Sequence, residues 1–289
     1  EGVELGSDGS AGLITYMRTD SLNLADKFLH EAREHLTSAF GEKYALAEPR
    51  TFKTKSKGAQ EAHEAIRPSE AHRTPESIAQ YLDPRQLKLY ELVWRRALAS
   101  QMPEAVIAAT SVDITAKDGK HTFRATGASV TFDGFLKVLP NGASENILPK
   151  LESGDAVKAE SLDPLQHFTE PPARYSEAGL IKKLEEYGIG RPSTYAPTIA
   201  TIVDRGYVER EERRLKPTEI AFLVNDLLVE HFPEVVDFQF TAKMEEELDE
   251  IAEGTKEWVP VVREFYTPFK KHLEEKEQEV DKKKLTEEA

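Results

Sequence analysis

Residues 176–216 read SEAGLIKKLEEYGIGRPSTYAPTIATIVDRGYVEREERRLK, and the punctuation inside that stretch sets the architecture around it. Ser176 opens a short amphipathic run that Gly188 closes, since glycine readily takes the left-handed backbone that ends a helix. Ser193 or Thr194 offers an N-cap for a second helix through Ile199 and Val203, closing at Gly206. Tyr207 to Arg210 and Arg213 to Lys216 then read as two short strands about an acidic turn. Helix, helix and β-ribbon in that order predict a winged helix-turn-helix.

Outward from this stretch the pattern stays helical downstream. Thr218 or Pro217 opens a helix over IAFLVNDLLVEHF, and Thr241 is placed to cap AKMEEELDEIAEG. Trp258 to Leu273 is amphipathic and decays into a charged, solvent-facing tail. Upstream, Pro171-Pro172 marks a boundary. Before it, AVIAATSVDIT, HTFRATGASVTF and GDAVKAESL alternate and are rich in β-branched residues, which predicts an antiparallel sheet module between Ala105 and Glu160. Asp118-Gly119 supplies the first hairpin turn.

Ahead of Pro103 the period becomes helical again. Asp83-Pro84 is a cap and first turn for a helix to about Met102, with Leu87, Tyr90, Val93, Trp94, Ala97 and Leu98 on its apolar face. A second helix runs from about Leu24 to Phe40, capped by Ser21 or Asn23 and stopped by Gly41. Leu13 to Tyr16 reads as a short strand. The expected fold is therefore mixed α and β and multidomain. It comprises a helical lobe over 1–102, an antiparallel β module over 103–170 and a helical, winged-helix-like domain over 171–289.

Composition limits the function classes. With no cysteine among 289 residues, disulfides and thiolate zinc sites are excluded. No apolar run approaches the roughly 20 residues of a membrane helix, so no membrane partner is expected. Net charge is −14, which opposes a nonspecific nucleic-acid coat. The charge is uneven, however: residues 1–102 hold 14 Lys+Arg against 15 Asp+Glu, whereas 241–289 hold 9 against 15. Local field counts for more than the total. The chain opens EGVELGSDGSAG, without Met and without the basic start of a signal peptide, and a piece of a longer protein is expected.

Three clusters carry candidate chemistry. In GLITYMRTDS, strand alternation would put Tyr16 and Arg18 on one face, where both reach a single phosphate. A phenol is a weak nucleophile at neutral pH, and a guanidinium stabilises both phenolate character and charge developing on phosphate oxygens. Ordinary packing of Tyr16 with an Arg18–Asp20 ion pair is the competing reading. In EAHEAIRPS, one helical turn would align His63 with Arg67, two donors for a phosphodiester that Glu61 or Glu64 could orient; a capped surface turn competes. In GIGRPSTY, a glycine-bracketed turn enters a helix N-terminus suited to an anion, with Arg191, Ser193 and Thr194 as side-chain donors. The glycines serve equally as simple caps. No Walker pattern and no compact carboxylate cluster is present, and Glu245-Glu246-Glu247 reads as an exposed helical run, so no metal ligands are assigned.

These blocks, in this order, resemble the bacterial branch of the type IA DNA topoisomerase family. GLITYMRTDS is similar to its active-site tyrosine motif and EAHEAIRPS to the segment that follows it. The stretch HFTEPPARYSEAGLIKKLEEYGIGRPSTYAPTIATIVDRGYV resembles its long signature, and DFQFTAKMEEELDEIAEGTKEW extends the match. Met17 stands where the topoisomerase III branch usually carries Pro, which favours the topoisomerase I branch.

The resemblance implies ATP-independent relaxation of negatively supercoiled DNA by a transient break in one strand. Tyr16 would form a 5′-phosphotyrosine link, Arg18 would stabilise the transition state and His63 would contact the phosphate. Arg67, Arg191, Ser193 and Thr194 would bind DNA, mainly single-stranded. It also implies Mg²⁺ held by a Toprim domain that this chain lacks, with none bound here, and a monomer in the bacterial cytoplasm, associated with the nucleoid. Without that domain the isolated chain is expected not to cleave DNA. Two other readings stand beside it: a noncatalytic single-stranded-DNA-binding winged-helix module around 176–216, and an inert structural piece.

Overall fold

The computed structural model describes residues 2–19, 21–52, 64–140 and 145–280. The chain divides into two compact units, Glu1–His167 and Phe168–Ala289.

The first unit begins with a small antiparallel pair, Val3–Glu4 (β1) and Ser10–Ala11 (β2). The helices Asp26–Phe40 (α1), Pro75–Ile78 (α2) and Pro84–Ser100 (α3) follow. Spacing by four residues puts Phe28, Ala32 and Leu36 of α1 on one buried stripe. Tyr90, Trp94, Ala97 and Leu98 of α3 meet them, with Leu5, Leu13, Ala71 and Met102, in one core. Polar atoms carried inside find partners: Trp94 Nε1 donates to the Ala71 carbonyl at 2.9 Å, and the Tyr90 hydroxyl to the Arg73 carbonyl at 2.7 Å. Burial pushes the Tyr90 phenol well above its ordinary pKa. At the start of α3 the Asp83 carboxylate accepts the Arg85 and Gln86 N–H groups, and the Gln86 side chain accepts the Asp83 N–H.

Helix α1 starts later than expected. Its N-cap is Ala25, without a side-chain bond. Ser21 is buried and its hydroxyl accepts the Asn23 N–H at 3.3 Å, while the Asn23 carbonyl accepts the Ala65 N–H at 2.7 Å. Both proposed caps are thus engaged in ordering the loop ahead of the helix.

Strands Val106–Thr115 (β3) and Thr122–Phe132 (β4) form an antiparallel ribbon. Gly119, at φ +69°, provides its left-handed turn residue. The expected third strand over 154–162 does not form. Alternation is a local signal, but a strand exists only where a ladder partner exists. The free edge of β4 is met instead by Asn146, which exchanges two backbone hydrogen bonds with Ala128 at 2.8 and 3.0 Å. Gly127 permits this approach, since a Cβ there would lie 2.6 Å from the Asn146 carbonyl oxygen.

The ribbon is fastened to the lobe core through Phe132, Phe135 and Val138. The Tyr44 hydroxyl also donates to the Asp133 carboxylate at 2.6 Å. That bond, helped by Lys137 and Lys43, holds the Asp133 carboxyl below its ordinary pKa. A depressed folded-state value means that the stabilisation is complete above the unfolded pKa, about 3.9. It is lost as pH falls through the lower folded value. Thermal melts should therefore show Tyr44→Phe less stable than the parent at neutral pH, with the difference shrinking in acid.

The second unit contains the helices Glu177–Tyr187 (α4) and Pro192–Asp204 (α5), then strands Val208–Glu211 (β5) and Arg214–Pro217 (β6). This is the expected winged helix-turn-helix. Ser176 Oγ accepts the Gly179 N–H at 3.0 Å to start α4, and Gly188 ends it at φ +73°. The wing turns through Glu212 and Arg213, both left-handed at φ +47° and +64°. Such backbone costs a residue bearing a Cβ about 1–2 kcal/mol.

Helices Glu219–His231 (α6), Pro233–Val236 (α7), Phe238–Ala252 (α8) and Trp258–Glu279 (α9) complete the unit. The cap of α8 is Asp237, whose carboxylate accepts the Gln239 and Phe240 N–H groups; the expected cap, Thr241, lies inside the first turn. Phe240, Phe265 and Phe269 pack ring against ring between α8 and α9.

Candidate functional site

The first candidate cluster lies at the end of a short, doubly fastened strand. Ser69 N–H donates to the Leu13 carbonyl and Thr15 N–H to the Arg67 carbonyl, both at 2.9 Å, with Ile14 opposite Pro68. Thr15 Oγ1 adds a donation to the Ala65 carbonyl at 2.8 Å and accepts the Arg67 N–H at 3.0 Å. The next residue, Tyr16, leaves this ladder with 71% of its surface exposed, and Met17 with 67%. A rigid base therefore carries a solvent-facing phenol.

The strand geometry stops there. Arg18 N–H donates to the Tyr16 carbonyl at 2.8 Å, closing a three-residue turn around Met17. Alternation along an extended backbone thus does not relate Tyr16 to Arg18, which is half-buried. Asp20 and His63 lie outside the described residues.

The expected helical turn over EAHEAIRPS is absent from its described part. Residues 64–68 run as non-helical backbone into the bridge with Ile14. The physical reason is Pro68, whose ring disfavours helical backbone at Arg67. Arg67 is 8% exposed and faces inward. Its Nε donates to Glu64 at 2.6 Å, its Nη1 reaches the Pro68 carbonyl at 2.9 Å, and its guanidinium lies 5.0 Å from the Phe28 ring centre. Arg67 binds the strand that carries Tyr16 to the core beneath it.

The third cluster, in the second unit, is built around the start of α5. Gly190 is left-handed at φ +80°, and a Cβ there would meet Thr194 Oγ1 and the Tyr195 ring at 3.1 Å. Arg191, two residues ahead of Ser193 and three ahead of Thr194, is the N-cap in place of either. Its N–H donates to Thr194 Oγ1 at 2.9 Å, so the Thr194 hydroxyl completes the cap. Ser193 and Thr194 are exposed.

The Arg191 guanidinium donates to Asp249 at 2.6 Å and lies 3.6 Å from Glu245, both on α8. Partial burial opposes its charge, but the bond to Asp249 and the field of both carboxylates outweigh this and raise its pKa. This acidic tether was not read from the sequence. The run Glu245-Glu246-Glu247 reads as exposed, yet the Glu245 and Glu247 side chains keep only 22% and 16% exposure, because Arg191 and Lys256 sit on them. The available signal was the spacing of Glu245 and Asp249, one helical turn apart on one face.

Among the described residues, no three His, Asp or Glu side chains converge where a metal ion could share them. No helix among the described residues is long and apolar enough to cross a membrane.

A family model described as DNA topoisomerase matches residues 9–263, a span that includes the Tyr16 strand, the ribbon and the winged helix. The chain belongs to the DNA topoisomerase family. It is 48% identical over 98% of its length to DNA topoisomerase 1 of Xylella fastidiosa strain 9a5c, covering 36% of that protein. The DNA topoisomerase 1 of strain Temecula1 is 47% identical over the same shares. Full-length topoisomerase I from Thermotoga maritima matches in structure with a TM-score of 0.77 at 40% identity, over 93% of this chain and 44% of that one. The mixed α and β fold is thus that of a topoisomerase I structure, and the chain spans little more than a third of the length of these Xylella relatives.

Proposed function

We propose that the longer protein containing this chain relaxes negatively supercoiled DNA without ATP, by a transient break in one strand held as a 5′-phosphotyrosine at Tyr16. The observation that carries this reading is the exposed Tyr16, presented by a strand with its backbone fastened on the Arg67 side, in a chain of this family. In-line attack by the phenol oxygen on a backbone phosphorus forms the tyrosyl phosphodiester and releases a 3′-hydroxyl. Attack of that hydroxyl on the same phosphorus restores the strand. One phosphodiester replaces another at each step, so no nucleotide need be consumed.

Within this chain Arg18 is assigned to the charge on the non-bridging phosphate oxygens, as a cation two residues from the nucleophile. His63 is assigned to the same phosphate. Arg191, Ser193 and Thr194 are assigned to single-stranded DNA at the α5 N-terminus, where Ser193 and Thr194 are exposed at the start of a helix and Arg191, tethered to Asp249, adds its charge. Arg67 supports the site by holding the Tyr16 strand, and any contact it makes with DNA is through that strand. Mg²⁺ is supplied from outside this chain, and the protein acts as a monomer in the cytoplasm, on nucleoid DNA.

The test is plasmid relaxation by the full-length protein. Relaxation with Mg²⁺ and no ATP is the expected result; a requirement for ATP, or no relaxation, would count against the reading. Arg18→Ala should lower the cleavage rate by about 10²–10³-fold, the scale for removing one preorganised donor. Arg18→Lys should recover part of it, since charge is kept and the planar fork is lost. Equal cleavage by Arg18→Ala would make Arg18 structural.

The winged-helix unit favours a second reading for the chain taken alone: single-stranded DNA binding without cleavage. A salt titration with labelled single-stranded DNA is expected to show salt-sensitive binding and no covalent product. Absence of binding at low salt would exclude it.

A further inference from the structure

We propose that the tip of the β5–β6 wing is a second nucleic-acid contact, in which Arg213 takes a backbone phosphate of duplex DNA. The inference rests on the DNA reading above and adds a surface and a substrate form to it.

The wing carries four cations, and three of them are engaged. Arg210 pairs with Glu177 at 2.6 Å, Lys216 with Glu211 at 3.2 Å, and Arg214 donates to the Arg174 carbonyl at 3.2 Å. Arg213 is exposed, and among the described residues it forms no ion pair. It lies beyond the last ladder pair, Glu211 with Arg214, at the outermost point of the hairpin.

The backbone gives the second observation. A two-residue hairpin turn with both residues left-handed is the geometry for which Asn-Gly is suited, because neither Cβ nor a long side chain is tolerated well there. Here Glu212 and Arg213 occupy it at φ +47° and +64°. The hairpin would be more stable with the simpler pair; instead its tip carries a long cationic side chain at a left-handed position. A strained turn that displays one unpaired guanidinium is a reason to look for a ligand of that guanidinium.

The chemistry of the wing selects the ligand. Glu209 to Lys216 contains no aromatic residue, so the wing offers no platform for unstacked bases, which single-strand sites use. A lone guanidinium instead suits a phosphate on a rigid backbone, where duplex DNA holds its phosphates at fixed spacing. Glu209, Glu211 and Glu212 lie within four residues of it in the chain, and their negative charge confines the contact to one phosphate. The two DNA forms are thereby divided between surfaces: single strand at the α5 N-terminus, duplex at the wing.

The experiment compares the 289-residue chain with Glu212→Asn/Arg213→Gly and with Arg191→Ala, using labelled duplex and single-stranded DNA across a salt series. The double variant should melt higher by about 2–4 °C, since it relieves the turn. It should also bind duplex several-fold more weakly, with the slope of log affinity against log salt reduced by about one. Its single-strand affinity should not change. Arg213→Lys should retain the duplex slope. Unchanged duplex affinity and slope in the double variant, or no duplex binding by the parent chain, overturns the proposal. An Arg191→Ala chain that still binds single-stranded DNA normally would overturn instead the assignment of the α5 N-terminus, leaving the wing result to stand or fall by itself.

Discussion

Replacing Tyr16 with Phe in the full-length protein is expected to abolish the covalent DNA–protein adduct and to leave the fold intact. Only the phenol oxygen is removed, and with it the atom that bonds phosphorus; no second hydroxyl nucleophile is assigned to the step. The ring is 71% exposed and holds nothing in the core, so stability should change by less than about 0.5 kcal/mol. DNA affinity should also be largely kept, because it rests on phosphate contacts elsewhere. Denaturing gels of trapped complexes measure the adduct, and thermal melts the fold. An adduct that persists in Tyr16→Phe would remove Tyr16 from the reaction.

The second large effect is on the support beneath that residue. Arg67→Ala should destabilise the first unit by about 1–3 kcal/mol, the scale for leaving a buried polar group unsatisfied. It would strand Glu64 and the Pro68 and Ser69 carbonyls, and uncover the Phe28 ring. The backbone ladder from Arg67 to Thr15 places this loss one residue from Tyr16. Cleavage should therefore fall along with the melting temperature, whereas Arg18→Ala should lower cleavage alone. Arg67→Lys keeps the charge but cannot serve Glu64 and two carbonyls with one fork, so it should recover only part of the stability. An Arg67→Ala protein of parental stability would show that the inward contacts are incidental.

How far the fold could be read in advance varied with the locality of the signal. Asp83-Pro84, Ser176, Gly188 and Gly41 act within a few residues of themselves, and each marks its helix end as anticipated. The wing was legible for the same reason. Signals that depend on a distant partner were less informative. Ser21 and Asn23 have the right chemistry for a cap, but Ala65, far along the chain, claims the Asn23 carbonyl. GDAVKAESL has the alternation of a strand and lacks a ladder.

The candidate site divides the same way. Tyr16 and Arg191 could be singled out by residue type and local motif. The inward face of Arg67 and the pairing of Arg191 with Asp249 depend on tertiary neighbours, and no spacing within their own motifs encodes them. Pro68 is the local clue that opposes the helical turn aligning His63 with Arg67, since its ring disfavours helical backbone at Arg67.

The most direct measurement is the identity of the residue that carries DNA. The full-length protein is trapped on single-stranded DNA, digested with protease and nuclease, and the nucleotide-bearing peptide is sequenced by mass spectrometry. The expected product is a 5′-phosphonucleotide on the phenol oxygen of Tyr16. A nucleotide on any other residue, or a link to the 3′ end of the broken strand, would contradict the account.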